Sequence, residues 1–217
     1  MAGRRRVGNL LALAVLSAVV ERPMHPYEMA SVLRERGKDR DMNIKWGSLY
    51  TVVRNLEKHG LIEAVESVRT GGRPERTIYR ITDAGREELV DWVRELISTP
   101  EREFFRFEAG LSVMVVLAPD EVMELLGRRL SLLEQEIAAA RESLAAFSRE
   151  LSRMLLIEAE FDLAMREAEA AWVRSLLDEL TSGSMPDLEL WRKFHETGEI
   201  PAEVRDMAER SRTGNQK

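Results

Sequence analysis

Residues 46–60, WGSLYTVVRNLEKHG, fit little besides a short helix seated on an apolar body. Leu49, Val52, Val53 and Leu56 recur at i, i+3, i+4 and i+7, which is one stripe of a helix. The opposite face reads as Tyr50, Thr51, Arg54, Asn55 and Lys58, with hydrogen-bonding groups and positive charge but no carboxylate. A short helix held by such a stripe is of a size that a DNA major groove accepts. Gly60 ends it as a left-handed C-cap. Two β-branched runs follow, LIEAVESV and TIYRIT, separated by RTGGRPE. Gly71-Gly72 supplies the positive φ of a turn and Pro74 limits pairing, so these runs predict a β-hairpin. Its tip carries Arg69, Arg73 and Arg76, within reach of phosphate or the minor groove.

The segments around this unit are helical. Residues 8–21 are apolar nearly all round and predict a helix buried between two layers. Arg4, Arg5 and Arg6 precede this run and imitate a secretory leader. The run is too short to span a bilayer, no small-x-small cleavage site precedes Pro23, and a buried first helix is the expectation. The three arginines form a basic arm suited to solubility or to the minor groove. Pro26 fits the first turn of a second helix carrying Tyr27, Met29, Ala30 and Leu33, which ends at Gly37. Thr82 is placed to cap a fourth helix with the stripe Leu89, Trp92, Val93 and Leu96.

Ser98-Thr99-Pro100 divides the chain. Beyond it we expect a helix over about 103–115 and a long helix opened by Pro119-Asp120. Val122, Leu126, Leu133, Ile137, Ala140, Leu144, Phe147 and Leu151 keep phase along that long helix in a near coiled-coil seam. Periodicity does not decide whether 148–153 interrupts it. A further helix carries Ile157, Phe161, Ala164, Ala168, Trp172 and Leu176 and ends near Gly183. The tail holds a Leu188, Leu190, Trp191, Phe194 cluster and then turns polar; its last residues, SRTGNQK, are expected to be disordered. The domains so read are 1–97, 98–183 and a tail 184–217.

Charge separates the same halves. The total is −6, which argues naively against nucleic acid. Residues 1–97 hold 17 basic and 14 acidic side chains, a net +3, and residues 98–217 hold 15 and 24, a net −9. The local field is what meets a phosphate, so the first half keeps that role open. The chain has no cysteine, which excludes disulfides, thiolate metal sites and cysteine nucleophiles and fits a reducing cytoplasm. His25, His59 and His195 lie far apart with no ligand spacing, so no metal is expected. No nucleophile motif or phosphate-cradling loop is present, and neither an enzyme nor a cofactor is expected.

Helix, helix, helix, hairpin, helix is the winged helix-turn-helix order. HPYEM at 25–29, GSLYTVVRNLEKHGLI at 47–62, GGRPERTIYRIT at 71–82 and DAGREEL at 83–89 resemble the PadR family of transcriptional regulators. The resemblance is strong over about 8–97 and weaker to about 183. It implies a mainly α fold with a small β-wing, and a C-terminal antiparallel, coiled-coil-like helical domain that dimerises. It also implies a homodimeric repressor on an inverted-repeat operator, and in some members an effector pocket. The residues after about Gly183 lie outside it.

On this reading Tyr27, Lys45, Ser48, Tyr50, Thr51, Arg54, Lys58, Arg73 and Arg76 form the double-stranded-DNA face. Several keep two roles at this stage. Arg54 suits guanine or a phosphate, and Tyr50 a phosphate or a thymine methyl. Ser48 suits a contact or a plain N-cap, and Tyr27 a phosphate or the gap between helices. Leu126, Leu133, Ile137, Leu144, Phe147, Phe161 and Trp172 are the dimerisation candidates. Phe104, Phe107 and Trp172 are the candidates for a small aromatic effector, although a tryptophan at stripe spacing is more often core. The alternative function is a winged-helix module for protein–protein assembly with an acidic helical scaffold.

Overall fold

Apolarity on every side buries the first helix, α1 (Leu10–Val19). Eight of its ten residues are buried, and Asn9 caps it by accepting the Leu11 N–H through Oδ1 at 2.8 Å. The computed structural model describes residues 7–38, 42, 44–68, 76–101, 103 and 105–199, with the side chains of 66–68 and 76 left out. Arg4–Arg6, Arg69, Arg73, Phe104 and residues 200–217 therefore lie outside the described residues.

Around α1 pack α2 (Pro26–Glu35), α3 (Leu49–Lys58) and α4 (Asp83–Ser98). Pro26 stands in the first turn of α2, and His25 Nδ1 accepts the Tyr27 N–H at 3.1 Å. A single 3-10 turn, Trp46–Ser48, leads into α3. All four residues of the predicted α3 stripe are buried. The end of α3 is a Schellman cap: Gly60 N–H reaches Glu57 O at 2.9 Å, Leu61 N–H reaches Leu56 O at 2.9 Å, and Gly60 has φ +70°.

β1 (Ile62–Val68) and β2 (Arg76–Ile81) pair antiparallel, with Ile62 opposite Ile81 and Ala64 opposite Tyr79. A bulge at 64–66 shifts the register. Met24 adds a contact the sequence reading missed: it exchanges both backbone hydrogen bonds with Tyr79 at 3.0 Å, on the outer edge of β2.

Thr82 joins hairpin, α3 and α4. Its Oγ1 accepts the Gly85 N–H at 3.0 Å and donates to Gly60 O at 2.6 Å, while its N–H donates to Leu61 O at 3.1 Å. Thr82→Val keeps the shape and removes both hydroxyl bonds. We expect a loss of ~1–2 kcal/mol in urea unfolding; an unchanged midpoint would show that the cap carries no stability. The α4 stripe is narrower than expected. Trp92 is buried and Leu89 packs on the core, but Val93 and Leu96 are exposed, as are Val90 and Ile97.

The second unit spans Glu103–Lys217, so the boundary falls at 102/103 rather than 97/98. The helix expected over 103–115 is shorter: α5 covers Arg106–Leu111, and a 3-10 turn covers Met114–Val116. The valine-rich run after Gly110 disfavours further α-helix. α6 (Pro119–Phe147) and α7 (Ile157–Ser182) follow, and the chain breaks between them at 148–156. The ion pairs Glu134–Arg174 and Arg141–Glu167 join rising positions on α6 to falling positions on α7, the order of an antiparallel pair, and Arg129–Glu169 adds a third link between the two helices.

Two expectations are corrected here. Leu126, Leu133 and Ile137 are buried inside this chain, in one core with Ala170, Val173 and Leu180, so they are not free to face a second copy. The phase of α7 is also different. Its buried face is Ala170, Val173 and Leu180, with Leu163, Leu176 and Leu177 half-buried against it, so of the predicted stripe only Leu176 turns inward. The predicted stripe of Ile157, Phe161, Ala164, Ala168 and Trp172 faces outward. α7 is apolar on two sides, and periodicity alone cannot say which one the chain itself covers. The tail is not separate. α8 (Leu188–Thr197) puts Leu188 and Trp191 into the same core, and Trp191 Nε1 donates to Leu117 O at 2.9 Å.

Candidate nucleic-acid interface and ligand groove

Burying the stripe of α3 turns its polar side outward. Tyr50 is 55% exposed, and Thr51, Arg54, Asn55 and Lys58 are exposed beside it. Arg54 Nε rests 3.4 Å from Tyr50 O, a long contact that leaves most of the guanidinium free to reach outward. Lys45 is exposed one residue before the 3-10 turn. Ser48 sits at the N-cap position of α3 but makes no side-chain cap bond; its hydroxyl donates back to Lys45 O at 2.9 Å. The turn is pinned from α2, where the Arg34 guanidinium lies 4.4 Å from the Trp46 ring centroid. Tyr27 is 70% exposed on α2, which removes the reading that it fills the gap between helices.

The outer face is not free of carboxylates. Glu57 is exposed and follows Tyr50 and Arg54 at helical spacing. Burial first, then the Glu57 carboxylate, holds the Tyr79 hydroxyl above its ordinary pKa, which places Glu57 on the flank of α3 nearest β2. The sequence reading counted only the central residues of the face and so missed it. Arg76 opens β2 opposite Val68, with its side chain outside the description. Arg80, which the sequence reading also passed over, is paired with Glu63 at 2.5 Å across the hairpin.

In the second unit, α5, α6 and α7 enclose an open groove of about 720 Å³. It brings Phe107 and Trp172 together, with ring centroids 6.1 Å apart at an interplanar angle of 82°. The Arg129 guanidinium lies 3.8 Å from the Phe107 ring centroid and donates from Nε to Glu169 at 2.7 Å. Phe105, adjacent to the expected Phe104, is exposed and lines the groove. Arg166 is held by Asp162 and Glu136, so two guanidiniums here face three carboxylates. Such a groove offers aromatic faces with a polar rim.

Comparison with known proteins agrees with this geometry. Residues 15–91 match the model described as the transcriptional regulator PadR-like family. A probable transcriptional regulator of Mycobacterium tuberculosis, Rv1176c, is 32% identical over 89 residues, which cover 39% of this chain and 44% of that protein. The match therefore spans less than half the length of this curated relative. Bacillus subtilis PadR in complex with operator DNA superposes with a TM-score of 0.64 at 19% identity, over 79% of this chain and 99% of that one. The same protein in complex with p-coumaric acid gives a TM-score of 0.62 at 20% identity, over 79% and 99%.

Proposed function

We propose that this chain, whose residues 15–91 match the transcriptional regulator PadR-like family, is a member of that family and acts as a homodimeric, sequence-specific DNA-binding repressor. One observation carries the reading: the whole stripe of α3 is buried while Tyr50, Thr51 and Arg54 stand exposed on its other side. Lys45, Lys58, Arg73 and Arg76 neutralise phosphates and supply most of the affinity, which makes it salt-dependent. Tyr50, Thr51 and Arg54 read bases, each good pair contributing ~1–3 kcal/mol of discrimination. Tyr27 and Ser48 add contacts at the edge of the face. The first unit alone makes few contacts. Two copies present two α3 helices about one DNA turn apart, or a multiple of it, and so read an inverted repeat.

Bacillus subtilis PadR has been seen with operator DNA and with p-coumaric acid. Both support a regulator that binds DNA and answers to a small aromatic molecule. In this chain the groove with Phe107 and Trp172 is where such an effector would sit. Its action is binding rather than catalysis, and its place is the cytoplasm. Among the described residues no helix is long and apolar enough to cross a membrane.

Selection of bound fragments from random DNA with the purified full chain tests the reading. The expected result is a two-fold symmetric motif. Recovery of unrelated sequences would instead support the protein–protein assembly module, and a promoter–reporter assay separates repression from activation.

A further inference from the structure

Charge as well as shape decides what the groove of the second unit can hold. Asp162, Arg166 and Glu169 stand at i, i+4 and i+7 on α7, and Arg129 and Glu136 stand seven residues apart on α6. Helical spacing therefore brings five charged groups to one seam, and all five line the groove. Arg129 Nε and Nη2 both donate to Glu169 Oε1. Arg166 donates from Nε to Asp162 Oδ2 at 2.8 Å and from Nη1 to Glu136 Oε2. Both guanidiniums are thus engaged by carboxylates of the chain itself. The Asp162 hydrogen bond first, and then the charges of Asp162, Glu136 and Glu169, hold Arg166 above its ordinary pKa in spite of its partial burial. Three carboxylates act on that one guanidinium.

One negative charge is left over. Exposed Arg106 and Glu108 at the rim add one charge of each sign and leave the balance unchanged. Each of the three inner carboxylates uses a single oxygen in the described hydrogen bonds. Glu169 Oε2, Glu136 Oε1 and Asp162 Oδ1 are the acceptors that remain. Beside them stand Trp172, 49% exposed, and Met165, 47% exposed. The groove already seats one cation on an aromatic ring, the Arg129 guanidinium over Phe107 with Glu169 beside it. A ligand ammonium on the face of Trp172, next to a remaining carboxylate oxygen, would repeat that arrangement. A ligand carboxylate meets the opposite situation. To reach a guanidinium it must displace Asp162, Glu136 or Glu169 and leave that group unpaired in a half-buried groove.

We propose that this groove selects an aromatic cation, whose ring packs on Trp172 and Phe107 and whose ammonium is taken by Glu136, Asp162 and Glu169, and that it discriminates against aromatic acids. The proposal rests on the groove being the effector site, as proposed above, and adds the charge of what enters it. Bacillus subtilis PadR has been seen with p-coumaric acid, an aromatic acid. Likeness of fold does not carry the charge of that ligand over to a groove whose own guanidiniums are already taken.

Isothermal titration of the full chain with three probes of one skeleton tests this. p-Coumarate, p-coumaryl alcohol and 4-hydroxycinnamylamine share a hydroxyphenyl ring and a three-carbon chain, and end in a negative, a neutral and a positive group. The amine is expected to bind at least tenfold more tightly than p-coumarate, with the alcohol between them. The double variant Glu136→Gln, Asp162→Asn removes two exposed carboxylates, whose ion pairs contribute little to stability, and releases Arg166. It should reverse the order, p-coumarate gaining at least tenfold and the amine losing as much. Thermal unfolding checks that it folds; Glu136→Gln alone, which should narrow the gap, replaces it if it does not. Trp172→Ala should weaken every probe that binds, which places them in the groove. If p-coumarate binds as tightly as the amine or more so, and Trp172→Ala weakens both, the charge preference is overturned and the groove stands as the effector site. If none of the three binds, or if binding ignores Trp172→Ala, the preference and the site are both overturned.

Discussion

Gly85→Ala is expected to destabilise the first unit by about 3 kcal/mol, at the upper end of what overpacking costs. A Cβ on Gly85 would stand 2.0 Å from Leu61 O and 2.9 Å from Ile81 Cγ1. The first of these is backbone and is already engaged, since Leu61 O accepts the Thr82 N–H. It cannot retreat without opening the join between the Schellman cap of α3, the end of β2 and the start of α4. Alanine would gain up to ~1 kcal/mol of helix propensity over glycine, too little to offset the clash. Equilibrium urea denaturation of the full chain measures the result. Because α3 is anchored at that join, operator affinity at elevated temperature should fall in parallel. A variant as stable as the parent would mean that α4 does not abut Leu61 as described.

Gly85 also marks what could be read from sequence. In DAGREEL it looks like a poor helix residue with no stated reason, and only the approach of Leu61 supplies one. The opposite holds for α3. Its stripe stands at i, i+3, i+4 and i+7, its polar side is distinct and its end is a glycine, so local pattern and final burial coincide. α1 was legible for the same reason, as an apolar run with a single outcome. Legibility failed where the chain offered two equivalent choices. α7 is apolar on both sides, and the side occupied by Ala170, Val173 and Leu180 is chosen by the shape of α6, which no window of α7 encodes. The same choice moved Leu126, Leu133 and Ile137 from an expected dimer face into the interior. Long-range pairing was equally invisible. Nothing near Met24 announces that it will bond Tyr79, which lies far along the chain. Glu57 was a different failure, of counting. It stands at the edge of a face whose central residues are exposed as expected.

The proposed DNA face yields the second large effect. Arg54→Ala is expected to lower the ratio of specific to non-specific binding by roughly 10- to 100-fold, the equivalent of ~1–3 kcal/mol for one lost bidentate base contact. The fold adds little to this effect, because Arg54 is exposed, its one described hydrogen bond, to Tyr50 O, is long, and its only other described influence is a weak charge effect on the Tyr79 hydroxyl. Folding stability should therefore move by less than ~0.5 kcal/mol, and thermal unfolding of the variant checks that. Arg73→Ala is the control of opposite character. A phosphate contact carries no base information, so this change should weaken specific and non-specific binding together and reduce the slope of log affinity against log salt by about one. Titrations with the selected operator and with a scrambled duplex, each at several salt concentrations, separate the two behaviours. If Arg54→Ala leaves the ratio untouched while lowering the salt slope, Arg54 belongs with the phosphate contacts, and base reading falls to Tyr50 and Thr51 at the opening turn of α3. Those two residues stand where Trp46, held by Arg34, fixes the entry of the helix, so their reach is set by the fold rather than by a mobile side chain.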